Sequence, residues 1–404
     1  NKVIRRKIMK ELSCDLHIVG GALTGLLTAY CVSHLGYKII VSERKNITLH
    51  NKKPTTDTRT TAIAEGSKVF LETQGLWKFI KRFAEPIKNI KVIDSSANSN
   101  LDFSNPITKS NLGYIVKNSK LISILIKELK KKNNVNFIKG SNLKSISYSN
   151  SKIISFTSNK KIKSKLIIAA DGKNSTVRKI LGTNFFNKKY KEKALVINFF
   201  HEWPHNNIAY EIFLKTGPLA ILPMQKERNR NQSTLIWSNK PDIVDKITSS
   251  SLDNNYLKEI LNEQIYKLVG NVTNINSVQS FPLSAHINEK FYDNKTVYVG
   301  DAAHSIHPIA GQGWNLGLRD VKSITKLLKK TKERKLEMGT KSFCKTYNDE
   351  CYYDAYRLYE ITDKLDWIFK KDQFYFKFLK KAGLNSINRD TIFKEKIVKF
   401  AMGI

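Results

Sequence analysis

The stretch that most constrains this chain runs from Leu16 to Gly25: Leu-His-Ile-Val-Gly-Gly-Ala-Leu-Thr-Gly. Residues 16–20 read as a short buried strand, and Leu23 to Leu35 as a small, apolar helix. A second strand, Lys38 to Ser42, follows and is closed by Glu43. Strand, tight turn, helix, strand, acid is the order of a dinucleotide-binding unit. Gly20 permits the sharp turn. Gly21 and the small Ala22 let the backbone approach a pyrophosphate, and Gly25 lets the helix pack close to the strand. The helix N-terminus then offers N–H groups and a partial positive charge to phosphates. Glu43, with Arg44 beside it, lies where a carboxylate accepts the hydroxyls of an adenosine ribose. Ala22 stands where a glycine is usual, which costs one methyl of clearance. The competing reading is a glycine-rich turn with no ligand, and the placement of Glu43 weighs against it.

Two later motifs decide which dinucleotide is expected. The first is Leu166-Ile-Ile-Ala-Ala-Asp-Gly172, followed by Ser175 and Arg178. The second is Val297-Tyr-Val-Gly-Asp-Ala-Ala-His304, followed by Pro308 and by Gly311-Gln-Gly-Trp-Asn-Leu-Gly317. Each is a hydrophobic strand ending in small and acidic residues, and a helix is predicted from Gly313 through Leu318 and Val321 into Ile324. FAD is long, and its ribitol carries hydroxyls that a strand-end carboxylate such as Asp301 accepts. A helix N-terminus at Gly313 to Gly317 suits the flavin pyrimidine, where negative charge builds on reduction. A nicotinamide-only enzyme needs no such distant second half.

Together these three elements resemble those of the single-component flavoprotein aromatic hydroxylases. The string from Gly300 to Asp320 most resembles the ubiquinone-biosynthesis FAD-dependent hydroxylases. Further matches are Asp57 to Ala64, Gly75 to Trp77, Leu112 to Val116, Gly217 to Pro223, Thr362-Asp363 and Ala401 to Gly403. The resemblance spans nearly the whole chain. It implies that Gly20, Gly25 and Glu43 hold the ADP half of FAD, and that Arg59 lies near the flavin or its phosphates. It also implies that Asp171 and Gly172 serve both FAD and a transient NAD(P)H contact. Gly300, Asp301, Pro308, Gly311, Gly313 and Asn315 are to line the ribitol and isoalloxazine. Asn118 stands where many relatives carry an Arg toward the phosphates, which puts a direct charge contact in doubt. Trp314 replaces a smaller apolar residue beside the flavin.

The implied fold is α/β. A discontinuous Rossmann-like FAD-binding domain (1–80, 106–182 and 283–330) holds an inserted, mostly antiparallel substrate sheet (81–105 and 183–282). A helical region (331–404) closes the chain, broken at Gly383. Strand character is read at Lys193 to Phe200, Ala209 to Leu214, Leu219 to Pro223 and Thr234 to Ser238. The Asn/Ser-rich runs 94–106 and 239–255 are read as loops.

The implied chemistry is hydroxylation of a polyprenylated phenol. NAD(P)H, or a ferredoxin-type donor, reduces FAD; O2 then gives a flavin hydroperoxide that the electron-rich ring attacks. No catalytic acid–base pair stands out. Tyr210, His307 and Trp314 are pocket candidates, although Tyr and Trp also fill cores. His304 and His307 are read as structural in preference to catalytic. No residue cluster points to a metal. Rival readings are a flavin hydroxylase of a soluble phenolic compound and a non-catalytic FAD-binding member of a quinone-making assembly. No Trp-x-Trp-x-Ile-Pro element of a halogenase is found.

Charge bears on partners. Lys and Arg number 69 against 35 acidic residues, a formal net charge of +34, and only 12 of the 69 are Arg. The Lys residues are spread along the chain, as a compositional drift toward Lys and Asn would give. Base readout favours Arg, and no nucleic-acid motif is present, so no specific nucleic acid is expected. An anionic membrane surface is the better partner, since a polyprenyl tail lives in the bilayer. The stretch Trp367 to Lys381 mixes aromatics with lysines as interfacial helices do, though a packing helix with a solvated Lys face is equally expected. The basic Lys2–Lys10 stretch before an apolar run resembles a signal peptide, but Glu11 and Asp15 interrupt it, so mature structure is expected. Met9 opens a natural-looking segment, and the first eight residues are expected to add little. No run of 18 apolar residues occurs. Cys14, Cys31, Cys344 and Cys351 form no CxxC pair and are expected as free core thiols. A cytoplasmic protein, peripheral on the inner membrane face and in contact with other ubiquinone-biosynthesis proteins, is expected.

Overall fold

A computed structural model describes residues 10–44, 58–94, 99–104, 111–149, 151–249, 253–307 and 312–370. In chain order, the strands that position the site are β1 (Leu16–Val19), β2 (Ile39–Ser42), β3 (Thr60–Ala64), β4 (Asn89–Asp94), β5 (Gly113–Lys117), β6 (Leu166–Ala169), β7 (Phe185–His201), β8 (Ile208–Leu214), β9 (Gly217–Glu227), β10 (Arg230–Asn239) and β11 (Val272–Asn288). The helices are α1 (Leu23–Ser33), α2 (Asn118–Leu129), α3 (Thr176–Leu181), α4 (Pro241–Thr248), α5 (Asn254–Val269), α6 (Gly313–Glu333) and α7 (Lys341–Lys370).

A mostly parallel sheet carries the Leu16–Gly25 motif. β6, β1 and β2 lie side by side, with Val135–Ile138 next to β2 and Thr296–Tyr298 next to β6. β1, β2 and β6 are buried along their whole length, so their apolar runs read as continuous and not alternating. α1 is buried from Gly25 to Ser33 and packs on α2 and α6.

The second large sheet has eight strands in the order His304–Ser305, β11, β7, β10, β9, β8, β4 and Ser99–Ser104. All its pairings are antiparallel except β8 with β4. The four strands read from sequence in this region are present as β7 to β10. The sheet has two apolar faces. Leu195, Ile197, Tyr210, Ile212, Leu219 and Leu235 pack against α4 and α5 on the outer face. Ala209, Leu222 and Met224 pack on the inner face against Ala62 of β3 and Ile115 of β5. β3, β5 and Glu85–Ile87 form the small sheet that lies under this inner face.

Two expectations are corrected, and one strand went unread. The run 94–106 contains a strand, Ser99–Ser104, which pairs with β4 so that Leu101 and Phe103 meet Val92 and Ile90. The run 239–255 contains α4, started by Pro241 at its first turn and anchored by buried Val244 and Ile247. β11, a strand of 17 residues, was not read at all and runs through the boundary drawn at 283. Its polar alternation (Asn274, Ser277, Gln279) hides a strand whose neighbours supply the apolar packing. All four cysteines are free and buried. Burial pushes the thiols of Cys14 and Cys344 up to about 12. Among the described residues no helix is long and apolar enough to cross a membrane.

Candidate active site

The site assembles where β1, β2 and β6 end and α1 and α6 begin. Gly20 has φ +112°, and a Cβ there would lie 2.2 Å from the Ala170 carbonyl oxygen. At Gly25 a Cβ would lie 1.9 Å from the Gly20 carbonyl oxygen. Both glycines are therefore required sterically, the first for the turn and the second for the helix–strand approach. Ala22 is the N-cap of α1; it forms no side-chain cap, and the first turn holds no acid. The N–H groups of that turn are left for a ligand. The Gly21 N–H donates to Glu43 Oε2 at 2.7 Å, which fixes the carboxylate beside the turn. Arg44 follows, exposed.

The second helix terminus converges on the first. α6 begins at Gly313 with no side-chain cap and no acid in its first turn. A Cβ on Gly317 would come within 3.3 Å of Gly300 Cα, and one on Gly300 within 2.9 Å of Thr24 Cγ2. Gly300 is thus pinched between the first turns of α1 and α6. Its N–H donates to Asp320 Oδ2 at 2.8 Å, and the same oxygen meets His304 Nε2 at 2.6 Å. Burial would lower the His304 pKa, but Asp320 outweighs it and the value is raised. His304 accordingly clamps the Gly-Asp loop to α6. Asp301 is exposed as a residue, yet the protein around its carboxyl pushes it up against the pull of His304, Arg59 and Lys173.

Asn315 ties α6 to the small sheet. Its Oδ1 accepts the Ala64 N–H at 2.9 Å, and its Nδ2 donates to the Ala62 carbonyl at 2.9 Å. β3 is preceded by Thr58 and Arg59, which reach the large sheet. Asn198 Nδ2 on β7 donates to the Thr58 carbonyl at 2.7 Å, and the Arg59 guanidinium lies 5.4 Å over the Phe281 ring of β11. Asn118 supports the same segment from below: its N–H donates to the Arg59 carbonyl at 3.0 Å, and its Oδ1 accepts the Thr61 hydroxyl.

The Asp-Gly motif shapes the start of α3. Asp171 Oδ2 accepts the N–H groups of Thr176 at 2.6 Å and Val177 at 3.1 Å, so the carboxylate holds the first turn of α3. Its Oδ1 finds no hydrogen-bond partner among the described residues. Burial pushes this carboxyl up despite the N–H bonds. Gly172 has φ +80° and open space beside it. Arg178, quoted in the motif but given no role from sequence, is the knot of this region. It donates to the carbonyls of Lys173 (2.6 Å) and Ala302 (3.2 Å) and to Asn288 Oδ1 (3.3 Å).

Of the pocket candidates, Tyr210 packs in the outer-face cluster with Ile212, Leu219 and the helices α4 and α5, as its strand register dictates. The neighbouring Glu211, a lone acid in an otherwise apolar strand, takes the inner face instead. His307 is buried and meets the Tyr190 ring edge-on at 4.7 Å, and the Tyr190 hydroxyl donates to Asp363 of α7 at 2.8 Å. Trp314 is half-buried against the main core. Pro308 and Gly311 lie outside the described residues, as does most of Trp367 to Lys381.

Two uncapped helix ends, a glycine cradle and the strand-end acids Glu43 and Asp301 suit a long ligand with a phosphate centre and flanking hydroxyls. The comparisons with known proteins agree. The chain is 27% identical to the ubiquinone hydroxylase UbiL of Rhodospirillum rubrum, over 96% of this chain and 89% of that one. It is 24% identical to the 3-demethoxyubiquinol 3-hydroxylase of Escherichia coli, over 98% and 100%. Among solved structures it resembles p-nitrophenol 4-monooxygenase PnpA of Pseudomonas putida, with a TM-score of 0.78, 16% identity and 98% coverage of both chains. PqsL of Pseudomonas aeruginosa, a probable FAD-dependent monooxygenase, matches with a TM-score of 0.76 at 14% identity, over 93% of this chain and all of that one. The family described as the FAD binding domain matches residues 13–360, and the chain belongs to it.

Proposed function

We propose that this protein is an FAD-dependent monooxygenase that hydroxylates the aromatic ring of a polyprenylated phenol in ubiquinone biosynthesis. The observation that carries the reading is the convergence of two uncapped helix N-termini on Gly300, beside β3 and the segment before it, which Asn315 of α6 and Asn198 of the eight-stranded sheet hold. The hydroxylase names of the full-length relatives support the reaction class and the pathway.

In this reading the first turn of α1, with Gly20, Gly21, Ala22 and Gly25, takes the FAD pyrophosphate, and Glu43 the ribose. Asp301 takes the ribitol hydroxyls, and Gly313 with Asn315 seats the isoalloxazine edge at the start of α6. Arg59 lies between this ligand and the large sheet. FAD supplies the redox and oxygen chemistry when bound, with NAD(P)H or a ferredoxin-type protein as the electron source. The chain binds, orients and excludes water. Residues 1–80, 106–182 and 283–330 serve the cofactor, and 81–105 with 183–282 serve the substrate. The pairing of β4 with β8 supports placing segment 81–105 with the substrate sheet. Contact with an anionic membrane surface is proposed from the +34 charge and the lipid tail of such a substrate.

The test is mass spectrometry of quinone intermediates in cells lacking this protein. A prenylated phenol short of one or more ring oxygens is expected to accumulate, and its structure names the position. Normal ubiquinone with no such intermediate overturns the pathway assignment.

A further inference from the structure

Among the described residues, the inner face of the large sheet carries a carboxylate, Glu211, that the fold does not use. β8 alternates strictly: Ile208, Tyr210, Ile212 and Leu214 pack with the outer cluster, so Ala209, Glu211 and Phe213 face inward. The cross-strand register sets what lies beside Glu211. It pairs with Val92 on one side and Ala220 on the other; Ala220 pairs with Ile236, Ile236 with Val196, and Val196 with Gln279. The result is an apolar lane, one residue wide, with a carboxylate toward one end and an amide at the other. Glu211, Ala220, Ile236 and Gln279 are all partly exposed although the sheet is covered on its outer face by α4 and α5 and on part of its inner face by the small sheet. The lane is therefore only partly covered, with Val196 buried.

Glu211 makes no hydrogen bond or ion pair among the described residues, in a chain with 69 basic residues. The charged groups of the layers around it are committed elsewhere. Lys91 on β4 lies 4.0 Å from Asp102, Lys117 pairs with Glu227 at 3.0 Å, Glu85 accepts from Asn207 at 2.6 Å with His205 3.8 Å away, and Arg59 covers Phe281. Burial alone pushes the Glu211 carboxyl up to about 7. A carboxylate desolvated without compensation costs stability, and such groups concentrate where a ligand supplies the missing partner.

We propose that Glu211 receives the ring hydroxyl of the phenolic substrate and is the base that withdraws its proton. This rests on the phenol-hydroxylase reading above. The apolar row Val92, Ala220, Ile236 and Val196 accommodates the ring, with Ala220 giving clearance beside the acid. In the step, the phenolic O–H bond breaks and the proton passes to a Glu211 carboxylate oxygen. The electron pair stays on the phenolate oxygen and raises electron density at the ortho and para carbons, the positions that hydroxylation targets. A base whose ionisation is centred near neutrality is suited to this transfer.

The test is calorimetric titration of the FAD-loaded protein with 2-allylphenol and with 2-allylanisole, its methyl ether, from about pH 5.5 to about pH 8.5, a range in which a simple phenol stays neutral. For the wild type, affinity for the phenol is expected to rise about tenfold as Glu211 ionises, because the bond becomes charge-assisted. The ether is expected to bind without a pH step. E211Q is expected to bind the phenol at the low-pH affinity throughout, with FAD content unchanged, and E211D to keep the step. An identical pH profile for wild type and E211Q, or the same step with the ether, overturns the assignment of Glu211 alone. If neither compound binds the FAD-loaded wild type at any pH, the phenol reading itself fails and this assignment with it. Should E211Q not fold, the ether comparison and E211D decide the matter.

Discussion

Gly25, Asp320 and Glu211 are three residues whose surroundings dictate opposite outcomes on substitution. A Cβ at Gly25 collides with the Gly20 carbonyl at 1.9 Å, and backbone cannot yield as a flexible side chain can. Gly25→Ala is expected to destabilise by about 1–3 kcal/mol and to purify with little FAD, read by flavin absorbance and a thermal melt. Asp320 accepts from both Gly300 and His304. Asp320→Asn is expected to cost about 3–5 kcal/mol, because it strands a buried charged partner. His304 has its pKa raised in the fold, so the pair's contribution is fully present below the ordinary histidine value of 6.5 and is lost as pH rises through the folded value. Denaturant melts of wild type and Asp320→Asn across that range are expected to differ most on the acid side. Glu211 reverses the usual carboxylate case. Its folded value of about 7 exceeds the ordinary 4.5, so stability is full below about 4.5 and declines as pH climbs through 7. E211Q is accordingly expected to melt higher than wild type at neutral pH, with the gap closing near pH 4.5; a gap that does not change with pH would contradict this.

β3, a five-residue strand, joins the start of α6 to the small sheet and, through the segment before it, to the large one. It pairs with β5, receives two bonds from Asn315 of α6, and is preceded by the Thr58 carbonyl that Asn198 of β7 holds. Losing the two Asn315 bonds is expected to cost about 2–3 kcal/mol in Asn315→Ala. The expected signature is a fall in FAD affinity larger than the fall in the melting temperature would account for, since β3 sits between the cofactor helices and the sheet. Fluorescence titration of the stripped protein with FAD measures it. The α1 and α6 termini illustrate the same economy: neither is capped by a side chain, which leaves backbone donors for a ligand where an ordinary helix would satisfy them internally.

At the scale of the whole molecule, charge and layering meet. A formal charge of +34 favours association with anionic vesicles, with binding that weakens as salt screens it. Cosedimentation with phosphatidylglycerol vesicles is expected to fall several-fold between about 50 and 500 mM salt. A chain lacking 365–404 is expected to lose most of it; unchanged binding by that truncation would place the membrane contact elsewhere. The nucleotide-binding turn was legible from sequence alone because its requirements are local: a positive φ at Gly20, a missing Cβ at Gly25 and an acid one strand later all lie within 28 residues. The Gly-Asp loop with the start of α6 was legible for the same reason, as were the apolar strands β7 to β10. What only the tertiary structure decided are relations between distant strands. Which face of β8 looks inward follows from its pairing with β4 and β9, and so Tyr210 lies on the outer face and Glu211 on the inner one. Arg178 gained its role only when Asn288 and Ala302, more than a hundred residues away, came within reach of its fork. Local steric rules act on neighbours in the chain and can be read from it, whereas register and layer contacts are set by packing that the whole fold determines at once.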